Sequence, residues 1–501
     1  MATCPRMPAA FVQPWTEALQ SWQAEQHEDV LPPHAIDAES LITTSSPQTL
    51  FVGTGLSIFT RGILPAMLGA RSSIHFVTCY WAASPSLDAI SNGLAQLAAS
   101  RRRRGTTYPP LQVSIGFSSW GLLQKLFHTS CPAGEAYPPS QWAKLGLPDP
   151  GTLRGGGIQL TVKSLFFRPM SVMHPKYVIV DGDRAFIPSC NVSWESWFEG
   201  CVEVRGHVVS SLAAFHKSVW GDTVDEGYSE SMAEDQRENH GDGAQGDDLP
   251  RATTDAADAA DADGETDGFW PEDETSATRS LRLNKADAPV ATMLLPSPHH
   301  RNPRFSFFPF LSHSHPPMTP LNAALLTLFA NARRDIIILT PNVTSWPVLD
   351  ALLEALARGV NVQIRTNRGM MLIEQLVTAG TTTSLCLDKF IKKYEKLRQL
   401  RQRGGQARDV EAQPVTPGSL EILYYKPYAP RDGLADEPVA SHFKMTMVDG
   451  QYLVLGSGNM DRASWWTSQE LGVLFHVPET DWHGLWDGVL EKRMELLYRS
   501  P

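Results

Sequence analysis

The chain has 501 residues, 42% hydrophobic and 19% charged, enough apolar content for two or three ordinary cores and too much for a wholly disordered protein. The net charge of −11 is uneven: residues 222–274 hold 19 Asp and Glu against only Arg237 and Arg251, which leaves +6 on the rest. A mildly basic body suits an anionic substrate such as a phosphate ester, and is equally an ordinary solvated surface.

Residues 1–49 are rich in Pro and polar side chains, with one short helix expected around Trp15 to Gln26, and read as an N-terminal extension. From residue 70, ARSSIHFVTCYWAASPSLDAI reads as a strand, a loop and the start of a helix, and ARRDIIILTPNVTSWPVLDAL at 332–352 follows the same plan. At an offset of 262 residues Ala70 meets Ala332, Ile74 meets Ile336 and Thr78 meets Thr340, so the chain contains an internal repeat. Each copy continues through a helix to a further strand, LQVSIGF at 111–117 and NVQIRTN at 361–367, the order of a βαβ unit. RRRR at 101–104 follows a helix end and reads as a solvated loop, the alternative being contact with phosphates of lipid or nucleic acid. Between the copies the acidic, Ala-, Gly- and Asp-rich stretch lacks the apolar residues to offset its ordering entropy and is expected to be disordered. His299, His300, His313 and His315, mixed with Phe and Pro, match no common metal-ligand spacing.

Residues 174–181, HPKYVIVD, place a histidine and a lysine in an otherwise apolar strand, and HFKMTMVD at 442–449 repeats the pattern 268 residues later. Strand periodicity puts His174 and Lys176 on one face, whereas Asp181 has the opposite parity or belongs to the turn. If Gly182-Asp183 and Gly450-Gln451 form two-residue loops, His174 faces Asn191, Lys176 faces Ser189, His442 faces Asn459 and Lys444 faces Ser457. Each hairpin then presents an imidazole, an ammonium, a hydroxyl and an amide. A Ser-Trp pair follows each asparagine, and an acid comes next: Glu203, 29 residues after His174, and Glu470, 28 after His442. Lysine is seldom buried without a partner, so two lysines in apolar strands point to function rather than packing.

Both HxKxxxxD segments and the triplets SCN (189–191) and SGN (457–459) resemble the signature of the phospholipase D superfamily, the HKD phosphodiesterases, as does GSGNMDRASWWTSQE at 456–470. The resemblance spans roughly 50–220 and 290–495. It implies an α/β fold of two repeated α/β/α halves with mixed sheets, related by a pseudo-twofold, with both motifs meeting in one cleft. The expected organisation is an extension (1–49), a first half (50–221), an acidic disordered insert (222–289) and a second half (290–501). By the same resemblance His174 is the nucleophile that forms a phosphohistidine and His442 the general acid and base. Lys176, Lys444, Asn191 and Asn459 hold the phosphate oxygens, while Asp181 and Asp449 complete the catalytic motifs. Ser189 and Ser457 support them, Glu203 orients His174 and Glu470 orients His442, and no metal or other cofactor is required. The first copy departs from the second in having Pro188 where the second has Gly456, and in its displaced acid.

The superfamily includes phospholipases, phosphatidyltransferases and nucleases, so peripheral features must choose among them. LDKFIKKYEKLRQLRQR at 387–403 sets Phe390, Tyr394 and Leu397 against Lys389, Lys392, Lys393 and Lys396, which suits either an anionic lipid surface or a solvated basic face over a packed stripe. Trp194, Trp197, Trp465 and Trp466 follow the site asparagines and either line the cleft or fill core. These features favour a glycerophospholipid substrate with peripheral membrane contact over nucleic acid, with a nuclease and a silent phosphate-binding scaffold as the alternatives. Six scattered cysteines without a CxxC pair, no apolar leader and no apolar run of about 18 residues give the expectation of an intracellular protein, soluble or peripherally membrane-associated.

Overall fold

The computed structural model describes residues 5–24, 37–105, 109–129, 131, 133–167, 171–221, 276–283, 288–297, 315–404, 416–428, 437–477 and 487–501. The stretch 222–275, for which disorder is expected, lies outside the described residues, as do His299, His300, His313 and the aromatic run at 305–311. Both halves belong to one unit, Met1–Gly221 with Ser276–Pro501.

In the first half Ile158–Ser164, Leu111–Ser119 and Ser73–Tyr80 lie side by side in parallel. Tyr177–Val180, Arg184–Pro188, Trp197–Arg205 and Ile42–Gly53 then continue the sheet antiparallel. The second half repeats this order with Leu420–Tyr425, Asn361–Thr366 and Asp335–Leu339 in parallel. Met445–Val448, Tyr452–Gly456, Glu470–His476 and Val290–Ser297 follow antiparallel. The fold is therefore α/β with two repeated halves and a mixed sheet. Parallel strands need crossover connections that cover the sheet faces, and the helices Pro85–Arg104 and Trp346–Ala357 supply them. Ile74, Phe76, Ile336 and Ile338 are accordingly all buried.

The offsets read from the sequence return as strand registers. Ile74 pairs with Val180 and Ile336 with Val448, while Trp81 bridges to Val192 and Val343 to Met460. The halves join where Ile42–Gly53 pairs antiparallel with Val290–Ser297 through residues 42–45, and with Trp197–Arg205 through residues 46–53. Its first eight residues, 42–49, fall within the stretch read as an extension.

The extension also contributes a helix, Ala9–Ala24, that starts earlier than the sequence suggested. Its Phe11, Trp15 and Leu19, at helical spacing, are buried in the core of the second half, and Trp15 Nε1 donates to the Pro320 carbonyl at 3.1 Å. Within 222–289, Arg279–Arg282 pairs antiparallel with Thr49–Val52.

One peripheral reading is corrected and another resolved. Arg101–Arg104 form the last turn of a helix rather than a loop, where cations offset the helix dipole, and Arg101 donates to the carbonyls of Gly156 and Pro109. In the helix Thr383–Gly404, Phe390 and Tyr394 are buried in the core, so that stripe packs against protein and Lys389, Lys392, Lys393 and Lys396 form a solvated face. Among the described residues no helix is long and apolar enough to cross a membrane.

Candidate active site

Each motif strand is shorter than expected, because His174, Lys176, His442 and Lys444 precede the paired segments Tyr177–Val180 and Met445–Val448. The hairpin register also differs by one from the two-residue-loop expectation. Val180 pairs with Arg184 and Val448 with Tyr452, so three residues separate the strands. Asp181 and Gly182, like Asp449 and Gly450, have positive φ, and the extra residue is accommodated where a two-residue turn would have closed.

Asp181 and Asp449 lie in these turns, at the far end of the short strands from His174 and His442, and do not join the site. The Asp181 carboxylate accepts the N–H groups of Arg71, Ser72 and Ser73 and the Ser72 hydroxyl. Asp449 accepts those of Arg333, Arg334 and Asp335. Burial would raise the Asp181 carboxyl, but the N–H groups of Ser72, Ser73 and Arg71 hold it below the usual range. Each aspartate fastens the entry to the first parallel strand of its half, which accounts for its place in the motif without contact with a substrate.

The histidines meet the other half of the chain. The His174 N–H donates to the Gln469 carbonyl at 3.0 Å, and the His442 N–H to the Phe198 carbonyl at 2.8 Å. Gln469 and Phe198 immediately precede Glu470 and Glu199, so the backbone crossing sets each imidazole beside the opposite carboxylate. His174 Nδ1 lies 2.7 Å from Glu470 Oε2, and His442 Nδ1 lies 2.8 Å from Glu199 Oε1. A carboxylate only accepts, so Nδ1 carries the proton in both rings and Nε2 is left for chemistry. Gly200 permits this close approach, since a Cβ there would lie 2.3 Å from Phe443 Cε2.

The expected acid assignments are thereby corrected: Glu470 orients His174, not His442, and Glu203 orients neither. Glu203 pairs with Arg184 at 3.2 Å, four residues further along the same strand from Glu199. Glu199 is the residue the sequence reading missed. Counting from the histidines concealed it, because Ser189 and Glu199 are 10 apart whereas Ser457 and Glu470 are 13 apart, with the helix Arg462–Trp466 in the longer connection. Aligning the following strands, EGCV at 199–202 with ELGV at 470–473, would have exposed it.

Ser189 donates to Glu199, and Ser457 donates to Glu470 at 2.5 Å; each hydroxyl also accepts an N–H, from Gly200 at 2.9 Å and Leu471 at 3.0 Å. Both serines are support for the carboxylates. Lys176 and Lys444, buried to 1% and 3% exposure, donate to the carbonyls of His174 (2.9 Å) and His442 (2.5 Å). Asn459 Nδ2 donates one N–H to Asp461 at 3.1 Å, and the side-chain oxygens of Asn191 and Asn459 have no protein partner. An oxygen can accept only a ligand's donor, so contact with a phosphate oxygen falls to the N–H groups of Nδ2.

Burial lowers both imidazoles, His442 to about 3, against the opposing pull of the glutamates. It also lowers the Lys444 ammonium, to about 7. Burial alone would raise Glu199 and Glu470, but His442 and His174 respectively, with the lysines and serines, hold them below the usual range. Lys444 acts electrostatically on His174 and Lys176 on His442, as groups sharing one cleft must. The Trp197 ring lies 4.8 Å from that of His442 and Trp194 is exposed, whereas Trp465 and Trp466 are core. The set offers two neutral, oriented imidazoles between two buried cationic side chains. That is what in-line displacement at an anionic phosphorus requires. Among the described residues no group of three or more His, Cys, Asp and Glu is arranged to hold a metal ion.

Residues 325–481 match the family described as "Cardiolipin synthase, PLD-like domain". No curated protein matches the chain at a significant level. Among solved structures, the chain is similar to phosphatidylserine synthase of Haemophilus influenzae Rd KW20, at 13% identity over 91% of this chain and 89% of that one, with a TM-score of 0.48. It is similar also to Nuc, a phospholipase D family member from Salmonella typhimurium, at 14% identity over 42% of this chain and 98% of that one (TM-score 0.25). A third likeness is to polyphosphate kinase of Porphyromonas gingivalis, at 9% identity over 85% of this chain and 47% of that one (TM-score 0.39).

Proposed function

We propose that this chain, which belongs to the phospholipase D superfamily, is a metal-independent phosphodiesterase or phosphatidyltransferase that acts on glycerophospholipids through a phosphohistidine. The observation that carries the reading is the crossed pair of His–Glu contacts, His174 with Glu470 and His442 with Glu199, which makes each half incomplete without the other.

His174 Nε2, kept unprotonated by burial, attacks phosphorus while Glu470 stabilises the charge that develops on the ring. As the P–N bond forms, the P–O bond to the departing alcohol breaks, and its electron pair takes a proton from His442 Nε2. Burial leaves His442 neutral in the free chain, so it takes up this proton from solvent as the anionic substrate binds, the substrate's charge adding to that of Glu199 in favouring the imidazolium. Water or an acceptor alcohol then gives its proton back to His442 Nε2, attacks phosphorus and releases His174. Lys176, Lys444 and the amides of Asn191 and Asn459 hold the non-bridging oxygens throughout.

The test is to incubate the chain with mixed phospholipid vesicles, and separately with single-stranded DNA, in the presence of chelator and with or without glycerol. Chelator-resistant release of headgroup supports hydrolysis, and a new glycerol-containing lipid supports transfer. Cleaved DNA with intact lipid would replace this reading with a nuclease, and intact substrates throughout with a binding scaffold.

A further inference from the structure

The helix Leu372–Ala379 is amphipathic in the wrong sense for a protein in water. Leu372, Ile373, Leu376 and Val377 are 44%, 80%, 53% and 58% exposed, while Gln375 and Thr378 are buried. Gln375 is fully engaged there, donating to the Met370 carbonyl at 2.5 Å and accepting from the N–H and hydroxyl of Thr383 at 2.6 and 3.0 Å. Glu374 is the one exposed charged side chain of this helix; otherwise polar groups inward and aliphatic groups outward is the distribution expected where the outer medium is apolar.

The helix packs beside the site: Arg462 Nη1, three residues after Asn459, donates to the Thr378 carbonyl at 2.7 Å. Lys125 lies on Leu122–Phe127, the helix that follows the second parallel strand of the first half, as Leu372–Ala379 follows that of the second. Lys125 Nζ lies 6.0 Å from the centre of the Tyr80 ring, and the next residue, Trp81, bridges to Val192 beside Asn191, so each helix borders the site residues of its own half. The first-half side also exposes large apolar groups, Phe127 at 83% and Trp120 at 43%. The second-half lip continues into Thr383–Gly404, whose exposed face carries Leu385, Lys389, Lys392 and Lys396 against Asp388 and Glu395, while Lys393 pairs with Asp350 at 3.0 Å. An apolar lip flanked by lysines complements the acyl region and the anionic headgroups of one surface.

We propose that this lip seats the cleft on a phospholipid bilayer containing anionic lipid. Leu372, Ile373, Leu376 and Val377 enter the surface on one side of the cleft and Phe127 on the other, while the lysines of the following helix rest on headgroups. The inference builds on the phospholipid reading of the site, but a binding measurement on the His174→Ala chain does not depend on turnover.

The experiment measures sedimentation of the full chain with vesicles of phosphatidylcholine alone or with phosphatidylglycerol. His174→Ala should bind as wild type does, and more than tenfold better when phosphatidylglycerol is present. Ile373→Asp/Val377→Asp should lose more than tenfold in vesicle binding and in turnover of vesicle lipid. It should keep wild-type turnover of a short-chain phospholipid held below its critical micelle concentration, which reports an intact fold and site. Unchanged vesicle binding by the double variant would overturn the proposal. So would a wild-type dimer that the double variant converts to monomer, since the face would then meet a second copy. Failure of wild type to turn over any phospholipid, with lip-dependent vesicle binding retained, would instead count against the catalytic reading alone.

Discussion

Glu470 accepts a hydrogen bond from His174 at 2.7 Å although 296 residues separate them, and Glu199 does the same for His442 at 2.8 Å from 243 residues away. Orientation of each catalytic ring is thus supplied by the opposite half. Replacing either acid by Gln keeps the shape and removes the charge that stabilises the imidazolium, so Glu199→Gln and Glu470→Gln should each lower kcat about 10²–10³-fold with KM little changed. Glu203→Gln, which disturbs only the pair with Arg184, should stay within about twofold of wild type. Steady-state kinetics on vesicle lipid distinguishes these outcomes, and a large loss at Glu203 would restore the assignment that counting in the sequence suggested.

The motif aspartates should behave as stability residues. Asp181→Ala strands three N–H groups at the start of a parallel strand and should cost about 2–3 kcal/mol in denaturant unfolding, with kcat of the folded protein near wild type. Because the folded chain holds Asp181 below the usual carboxylate range, its stabilising contribution is present above the unfolded value of about 4 and disappears as pH falls through the lower folded value. The difference between wild type and Asp181→Ala should therefore shrink in acid. A difference that grows in acid would contradict the hydrogen-bond account.

Lys444 sets an alkaline limit. Its ammonium, lowered to about 7 by burial, is lost from the free chain above that pH, and kcat/KM should then fall about tenfold per pH unit. Lys444→Arg, which stays protonated, should remove that limb whatever activity it retains. The same burial opposes folding: between about 7 and 10.4 the unfolded chain binds this proton and the folded chain does not, so stability rises with pH across that window. Lys444→Met should raise Tm at neutral pH and abolish turnover. A calorimetric scan that finds it less stable would show that Lys444 is held by compensating contacts.

Much of this was legible in the residues. The 262- and 268-residue offsets became the paired registers Ile74 with Val180 and Ile336 with Val448, because a duplicated core keeps its strand spacing. His174, Lys176, His442 and Lys444 announced themselves as charge in apolar strands. Two kinds of information were missing. The exchange of Glu470 and Glu199 between halves is a contact across the pseudo-twofold, which spacing along one half cannot encode. The outward aliphatic face of Leu372–Ala379 was hidden because an apolar segment gives the same periodicity whether it faces core or surface; only the buried Gln375 reveals the inversion. The hairpin register was missed by one residue because Asp-Gly signals a turn without fixing how the next residue pairs.

The central claim, that both motifs build one site, is tested most directly by turnover of His174→Ala, His442→Ala and the double variant on one phospholipid substrate. The account predicts that each single substitution lowers kcat at least about 10⁴-fold and that the double variant falls no further, as for groups acting in one displacement. Each single variant keeping about half of wild-type turnover, with only the double variant inactive, would mean two independent sites and would contradict it.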